Sequence, residues 1–219
     1  MLTTSGPARQ IASDTDIAEG LDALCRMDPA LAAIRPSAGH VPLRRSEPGF
    51  HSLASIIVAQ QVTTASARAI FARLQSLAEP VTAQALLASE EAVLREVGLS
   101  HAKIRALRSA AAAVIEGLDL SELCRVEAED AIARLVAIPG VGRWTAEMYL
   151  LVAAGHPDVF PARDLALQIA AGHALGLSSR PGEKALAALA ESWRPWRSVA
   201  SRLLWAYYHA VKARETAPS

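Results

Sequence analysis

The 219-residue sequence has few aromatic residues, only two cysteines and no net charge, and each shortage excludes a class of protein. Aromatic residues make up 5% of the chain and β-branched residues are sparse, which argues against a large β-sheet. Cys25 and Cys124 cannot supply the four thiolates of a Cys₄ zinc site or an iron–sulfur cluster, so we expect two reduced, buried thiols. Because the net charge is zero, binding to nucleic acid requires local basic patches rather than a global field.

Long apolar runs are also missing. No apolar stretch reaches the roughly 18 residues that a membrane-spanning helix needs, and the N-terminus lacks the basic and apolar regions of a signal peptide. The histidines show no spacing typical of zinc ligands. The sequence therefore predicts a cytoplasmic protein without a membrane partner and without a cofactor for catalysis.

The residues that are present favour helices. The hydrophobic content of 52% is ample for a core, Ala-rich stretches with Leu, Arg and Glu favour helix, and apolar residues recur at helical spacing from Leu53 to Leu74. We predict an all-α protein with a disordered leader at 1–13, a helical domain at 14–214 and a turn-rich linker from Pro36 to Pro48. Gly98 and Gly117 are predicted to end two of the helices. The predicted helices span 14–27, 50–77, 82–88, 90–97, 102–116, 121–123, 128–137, 143–155, 164–175, 182–191 and 195–213.

The most specific local pattern is the string LVAIPGVGRWTA at residues 135–146. Pro139 stops one helix, and Gly140 and Gly142 permit a tight turn into the next. The free backbone N–H groups and the positive dipole end of the second helix form an anion site, to which Arg143 adds charge. A DNA phosphate fits such a site. A turn that merely connects two helices is the simpler interpretation of the glycines alone.

A second pattern follows in the loop at residues 159–168, VFPARDLALQ. Asp164 lies 22 positions after Gly142 and directly before a predicted helix. Aspartate is a favoured helix N-cap, and residue preference alone gives Asp164 that structural role. The combination with the upstream turn raises a second, functional interpretation.

Together, the turn and the aspartate resemble the helix–hairpin–helix, Gly/Pro-rich loop, aspartate superfamily of DNA glycosylases. Three further segments are similar to its 3-methyladenine DNA glycosylase II branch, namely IIVAQQVT at 56–63, GLSHAKIR at 98–105 and ESWRPWRS at 191–198. The resemblance covers roughly residues 15–212. It does not include the N-terminal β domain that larger bacterial members carry. It implies two helical subdomains with a helix–hairpin–helix motif and the active-site cleft between them.

The resemblance also implies roles for individual residues. Asp164 matches the catalytic carboxylate, and Gln61, or its neighbour Gln60 or Val62, matches the wedge that fills the gap left by an extruded nucleotide. The implied base pocket consists of Trp144, Met148, Leu165 and Trp205. The implied phosphate-binding residues are Gly140, Gly142, Arg143 and Thr145. Backbone carbonyls that would hold a structural sodium or potassium ion belong to Val136, Ile138 and Val141.

The implied activity is that of a monofunctional DNA N-glycosylase. Alkylation makes a purine cationic, so aromatic faces attract the base, and a carboxylate stabilises the positive charge that develops on the sugar. We therefore expect bases of the 3-methyladenine and 7-methylguanine type to be excised from double-stranded DNA. Trp144 stands where bifunctional members carry a lysine, and an indole cannot form a Schiff base, so no AP lyase activity is expected.

The sequence leaves other interpretations open. A broader glycosylase for deaminated, etheno or oxidised bases would use the same motifs, and a non-enzymatic module that binds damaged DNA would use the hairpin without Asp164. Basic residues near the C-terminus and at the start of the 102–116 helix are expected to contact phosphates; these are Lys103, Arg105, Arg197 and Arg202. We expect a monomer that is associated with the nucleoid when it is bound to DNA.

Overall fold

The computed structural model describes residues 10–215, and within that range it contains helices and connecting turns but no β-strand. The all-α prediction is confirmed. The chain divides into two compact units: a terminal unit built from both ends of the chain, up to Arg45 and from Gly155 onward, and a central unit at Ser46–Ala154. Among the described residues, no helix is both long and apolar enough to cross a membrane.

The terminal unit contains five α-helices within the described range. They are α1 (Asp14–Met27), α2 (Pro29–Ala38), α10 (Leu165–Ala174), α11 (Glu183–Ala190) and α12 (Arg197–Glu215), with a 3₁₀ turn at Glu191–Trp193. Helix α12 packs against α1, α2 and α10. The contact with α1 is close, because a Cβ added at Gly20 would lie 2.8 Å from side-chain atoms of both Trp196 and Val199. The core of this unit therefore forms around α12.

The central unit contains the remaining helices. They are α3 (Phe50–Ala59), α4 (Thr64–Gln75), α5 (Ala83–Ala88), α6 (Glu91–Glu96), α7 (His101–Ile115), α8 (Ala128–Val136) and α9 (Arg143–Tyr149), with a 3₁₀ turn at Glu122–Cys124. Helix α9 continues as a π-helical segment at Leu150–Ala154. Gly98 and Gly117, with φ of 99° and 111°, follow α6 and α7 as predicted. Helix α3 packs against α4, α7 and α9.

Two predicted boundaries at the N-terminus are corrected. Residues 1–9 of the predicted leader lie outside the described residues, but Ile11 is fully buried and its N–H donates to the carbonyl of Gly155 at 2.8 Å. Ordered structure thus begins before residue 14. The N-cap of α1 is Ser13 rather than Asp14 or Asp16. The Ser13 hydroxyl accepts the Asp16 N–H, and the Asp16 carboxylate accepts the Ser13 N–H, which completes a capping box.

Two further predictions were wrong about continuity. Helix α2 was not predicted; Asp28 is its N-cap and Pro29 its first residue. The linker predicted to begin at Pro36 therefore starts inside this helix. The single helix predicted at 50–77 is two helices, α3 and α4, separated at residues 60–63. Gln61 turns the chain there with a φ of 55°, and the Thr63 hydroxyl accepts the N–H of Ser66 to cap α4. Because the helical spacing of apolar residues continues across residues 60–63, the sequence pattern does not reveal the break.

Candidate functional site

The turn between α8 and α9 is tight and packs against α7 on one side. The Val141 N–H donates to the Ile138 carbonyl at 3.0 Å, and Gly140 has a φ of 87°. A Cβ built on Gly140 would lie 2.5 Å from the Cβ of Ala106 on α7, so only glycine fits against that helix. Gly142, in contrast, has nothing within 4 Å of an added Cβ. The space beside the Cα of Gly140 is thus filled by α7, whereas the space beside Gly142, at the start of α9, is open.

The start of α9 presents backbone donors. Gly142 is the N-cap, and no side chain caps the helix. The first N–H groups of a helix lack intrahelical partners and carry the positive end of its dipole. Arg143–Tyr149 and the π segment that follows extend the helical backbone to Ala154. The geometry therefore suits an anion at this end, with Gly142 leaving room for close approach.

Gln60 supports the hairpin from the end of α3. Its side-chain amide donates to the Thr145 hydroxyl at 2.9 Å and to the Gly140 carbonyl at 3.2 Å. Thr145 is buried, so its hydroxyl faces Gln60 rather than solvent. The structure thus brings together two predicted site residues, a wedge candidate and a phosphate ligand, as partners of each other. It does not favour the wedge role for Gln60 or a side-chain phosphate contact for Thr145.

Gln61 occupies a different environment from Gln60. It lies at the exposed turn between α3 and α4 with a left-handed backbone, and the next residue, Val62, is also exposed. The end of α3 is held in place by Lys103, whose ammonium donates to the Val58 carbonyl at 2.6 Å. Burial lowers the pKa of Lys103. The exposed turn at Gln61 therefore follows a helix end that is held in place. Lys103, which was predicted to contact a phosphate, binds a backbone carbonyl instead.

Arg143 forms ion pairs on both sides. Its guanidinium lies 2.7 Å from a carboxylate oxygen of Glu129 on α8 and 2.8 Å from one of Glu147 on α9. The hydrogen bond with Glu129 and the charges of both glutamates hold the pKa of Arg143 above its usual range. Because two carboxylates offset its charge, Arg143 ties α8 to α9. The expectation that it adds free positive charge beside the phosphate is corrected accordingly.

Asp164 caps α10 in the terminal unit. One carboxylate oxygen, Oδ1, accepts the backbone N–H of Leu167 at 3.1 Å and the indole N–H of Trp205 at 3.1 Å. The preceding loop is fixed as well, since the Asp164 N–H donates to the Pro161 carbonyl at 2.8 Å. On the other side, the side-chain amide of Gln168 donates to the Ala162 carbonyl at 3.0 Å. The half-buried carboxylate is therefore held in a defined orientation.

The four residues predicted to line a base pocket differ in their surroundings. Trp205 is only 8% exposed, and its indole N–H is used by Asp164, so it supports the carboxylate rather than standing as an open pocket wall. Leu165, directly after Asp164, is 55% exposed. In the central unit, Trp144 and Met148 are half-buried and lie one turn apart on the same side of α9. The structure places the two pairs in separate units.

Two of the arginines predicted to contact phosphates are structural. Arg197 is mostly buried and pairs with Asp158 and Glu191, each at 2.7 Å. Arg202 is 2% exposed, and its guanidinium donates to the carbonyls of Leu43 and Ser198 at 2.8 and 3.1 Å. Neither faces solvent as a DNA contact would. Arg105 is exposed on α7 and keeps its predicted role as a hypothesis.

Comparisons with known proteins agree with these features. The sequence pattern of the HhH-GPD superfamily base excision DNA repair protein family matches residues 54–195. The chain is 32% identical to DNA-3-methyladenine glycosylase 1 of Schizosaccharomyces pombe over 168 residues, which cover 74% of this chain and 73% of the relative.

Solved structures show the same fold. The Schizosaccharomyces pombe 3-methyladenine DNA glycosylase in complex with abasic DNA superposes with a TM-score of 0.80 at 29% identity, over 85% of this chain and 95% of that one. DNA-3-methyladenine glycosidase from Bacillus halodurans gives a TM-score of 0.75 at 32% identity, over 95% and 94%. The matched family region contains both the hairpin and Asp164. The chain belongs to the HhH-GPD superfamily of base excision DNA repair proteins.

Proposed function

We propose that the protein is a monofunctional DNA N-glycosylase that extrudes and excises alkylated purines of the 3-methyladenine and 7-methylguanine type. The observation that carries the proposal is the fixed carboxylate of Asp164, which two N–H donors orient at the start of α10. Its place in a base excision repair family and the names of the similar glycosylases support the substrate class.

The proposed chemistry needs little from the protein beyond that carboxylate. A purine alkylated on a ring nitrogen carries a positive charge and leaves without a general acid. Cleavage of the glycosidic bond builds positive charge on the sugar, which a preorganised carboxylate stabilises. The half-buried indole of Trp144 offers an aromatic face for a cationic base, a contact worth roughly 2 kcal/mol when desolvated.

The hairpin of the central unit supplies the first proposed DNA contact. The uncapped start of α9 takes a phosphate through backbone N–H groups beside Gly142. Backbone carbonyls of Val136, Ile138 and Val141 would hold a sodium or potassium ion, because neutral oxygen donors suit hard cations. Val136 ends α8, where carbonyls lack intrahelical partners, and the Ile138 carbonyl, which accepts the Val141 N–H, has a second lone pair. When bound, that ion would add positive charge for the same phosphate. Gln61 is the proposed wedge.

The test of this function is base release from defined duplexes. Duplexes that carry 3-methyladenine, 7-methylguanine, ethenoadenine, hypoxanthine or uracil are incubated with the protein, and free base is measured with and without alkaline strand cleavage. We expect release of the two methylated purines and scission only after alkali. Release of ethenoadenine, hypoxanthine or uracil alone would contradict the substrate class, and binding without release would indicate a damage-binding module.

Trp205→Phe tests whether the indole N–H supports catalysis. The substitution keeps an aromatic ring but removes the hydrogen bond that orients Oδ1, and misplacement of a reacting group can cost about 10²-fold, so single-turnover base release should fall roughly tenfold to hundredfold. Trp193→Phe is the matched control, because its indole N–H donates to Asp28 at 2.7 Å in the same unit. The control should lose stability without losing the rate of the folded protein. Equal rates for the two variants would contradict the role of Trp205.

The two glutamines should separate hairpin support from the wedge. Gln60→Ala leaves the Thr145 hydroxyl and the Gly140 carbonyl without this donor and should lower the free energy of unfolding by about 1–2 kcal/mol. Gln61→Gly suits the positive φ and should leave stability within about 0.5 kcal/mol while weakening binding to an abasic duplex. Denaturant unfolding and equilibrium binding measure the two effects. Unchanged DNA binding by Gln61→Gly would remove the wedge assignment.

A further inference from the structure

A stripe of four residues runs along one face of α12. Arg202, Trp205, His209 and Lys212 follow one another at spacings of three, four and three, which places them on the same side of a helix. Trp205 donates to Asp164, and His209 lies one helical turn further on, a rise of about 5.4 Å. Because Arg202 is buried, the exposed basic side chains on this face begin one turn beyond the indole that binds the carboxylate.

The segment before the central unit brings further charge to this stripe. The guanidinium of the buried Arg202 donates to the Leu43 carbonyl at 2.8 Å, and Arg45 donates to the Ile11 carbonyl at 3.0 Å. Between these two anchors, exposed Arg44 has a φ of 46°, a conformation that a residue with a Cβ adopts only when its surroundings impose it. The fold thus fixes the backbone of Arg44 beside α12.

The charges in this region influence one another. Burial lowers the pKa of Arg202 to about 10, and the charges of Arg45 and Arg44 contribute to that shift. Partial desolvation of the ring lowers the pKa of His209 most, and the charges of Arg44 and Lys212 lower it further. The ring of Tyr208 is close to two of these groups, since its centroid lies 5.6 Å from the His209 ring centroid and 5.8 Å from the Lys212 ammonium. An anion placed here would relieve this repulsion.

We propose that Arg44, His209 and Lys212 form a second phosphate-binding site, which takes a DNA phosphodiester close to the extruded nucleotide. The inference rests on the proposed function, since the nucleotide is located by the carboxylate of Asp164, which is bound by Trp205 one turn before His209 on the stripe. All three side chains reach solvent. A sequence-independent contact of this kind suits a protein that must examine any DNA sequence, and it differs from the hairpin site in using side chains rather than backbone N–H groups.

The first test follows the protonation of His209. Its ring is titrated by NMR in the full chain, with the signal assigned through His209→Gln, first alone, then with a duplex containing a stable abasic-site analogue, and then with inorganic phosphate. We expect the duplex to raise the pKa of His209, because a nearby phosphate favours the imidazolium. A rise with inorganic phosphate and none with the duplex would overturn the DNA assignment, and no rise with either would overturn the site.

The second test measures the salt dependence of DNA binding. Removing one phosphate contact from B-DNA reduces the slope of log K against log salt by about 0.9. We expect this reduction for the double variant Arg44→Gln/Lys212→Gln, and an unchanged slope for Lys184→Gln, an exposed basic residue of α11 in the same unit. Thermal unfolding confirms that each variant is folded. A slope equal to that of the unsubstituted chain in the folded double variant contradicts the proposal.

The two proposals fail in distinguishable ways. The His209 and salt measurements use a duplex that needs no cleavage, so they report on the phosphate site even if no base is released. Absence of base release with a normal response of His209 would refute the glycosylase function and leave the phosphate site. Normal base release with no response of His209 and an unchanged slope would refute the phosphate site alone.

Discussion

Asp164→Asn should reduce single-turnover release of 7-methylguanine by about 10²–10³-fold, the range seen when one preorganised group that stabilises transition-state charge is removed. The amide is neutral and cannot offset the positive charge that develops on the sugar. Affinity for a duplex with an abasic analogue should stay close to that of the unsubstituted chain, because the proposed DNA contacts lie at the hairpin and on α12. Single-turnover kinetics at saturating protein separates the chemical step from binding.

The same position also offers a control for its structural role. Asparagine is about as good an N-cap as aspartate, and its side-chain carbonyl can still accept the N–H groups of Leu167 and Trp205. Stability should therefore be retained in Asp164→Asn, whereas Asp164→Ala loses the cap and about 1 kcal/mol. If both variants lose stability equally and keep their rate of base release, Asp164 is only a helix cap.

Gly140→Ala and Gly142→Ala should separate folding from DNA binding at the hairpin. At Gly140 the added Cβ meets Ala106 at 2.5 Å and the φ of 87° is strained for alanine, so we expect a loss of roughly 2–4 kcal/mol in the free energy of unfolding. At Gly142 the space is open and φ is −90°, so stability should change by less than about 1 kcal/mol. Urea unfolding measures both.

DNA binding provides the second readout of this pair. Gly142→Ala places a methyl group where we propose that a phosphate approaches the start of α9, and it should weaken binding of the abasic duplex while the protein stays folded. Stable, normally binding Gly142→Ala would contradict the phosphate site at the hairpin. Stable Gly140→Ala would contradict the close packing of the turn on α7.

Features set by neighbouring residues were predictable from the sequence. The turn of the hairpin follows from Pro139 and the two glycines, and the ends of α6 and α7 follow from Gly98 and Gly117. The identity of Asp164 as a helix cap is likewise a local preference, which its hydrogen bond to the Leu167 N–H confirms. Each of these features depends on residues within a few positions of one another, so it can be predicted without knowledge of the tertiary structure.

Features set by distant partners were not predictable. Gln60 binds residues 80 and 85 positions away, and Arg202 binds a carbonyl 159 positions away. A basic residue in a sequence carries no sign of whether it meets a carboxylate, a carbonyl or a phosphate. The same holds for Trp205, whose N–H reaches Asp164 across 41 positions. The family resemblance indicates which residues form the candidate site, but only the fold distinguishes the residues that support it from those left exposed.

The catalytic role of Asp164 is tested by comparing the unsubstituted chain with Asp164→Asn on one duplex that carries 7-methylguanine, at equal occupancy of the DNA. Free base is quantified by chromatography, and strand integrity is examined before alkali. We expect release of 7-methylguanine and an unbroken strand with the unsubstituted chain, and almost no release with the variant. Equal release by both proteins, or strand scission before alkali, would contradict this expectation.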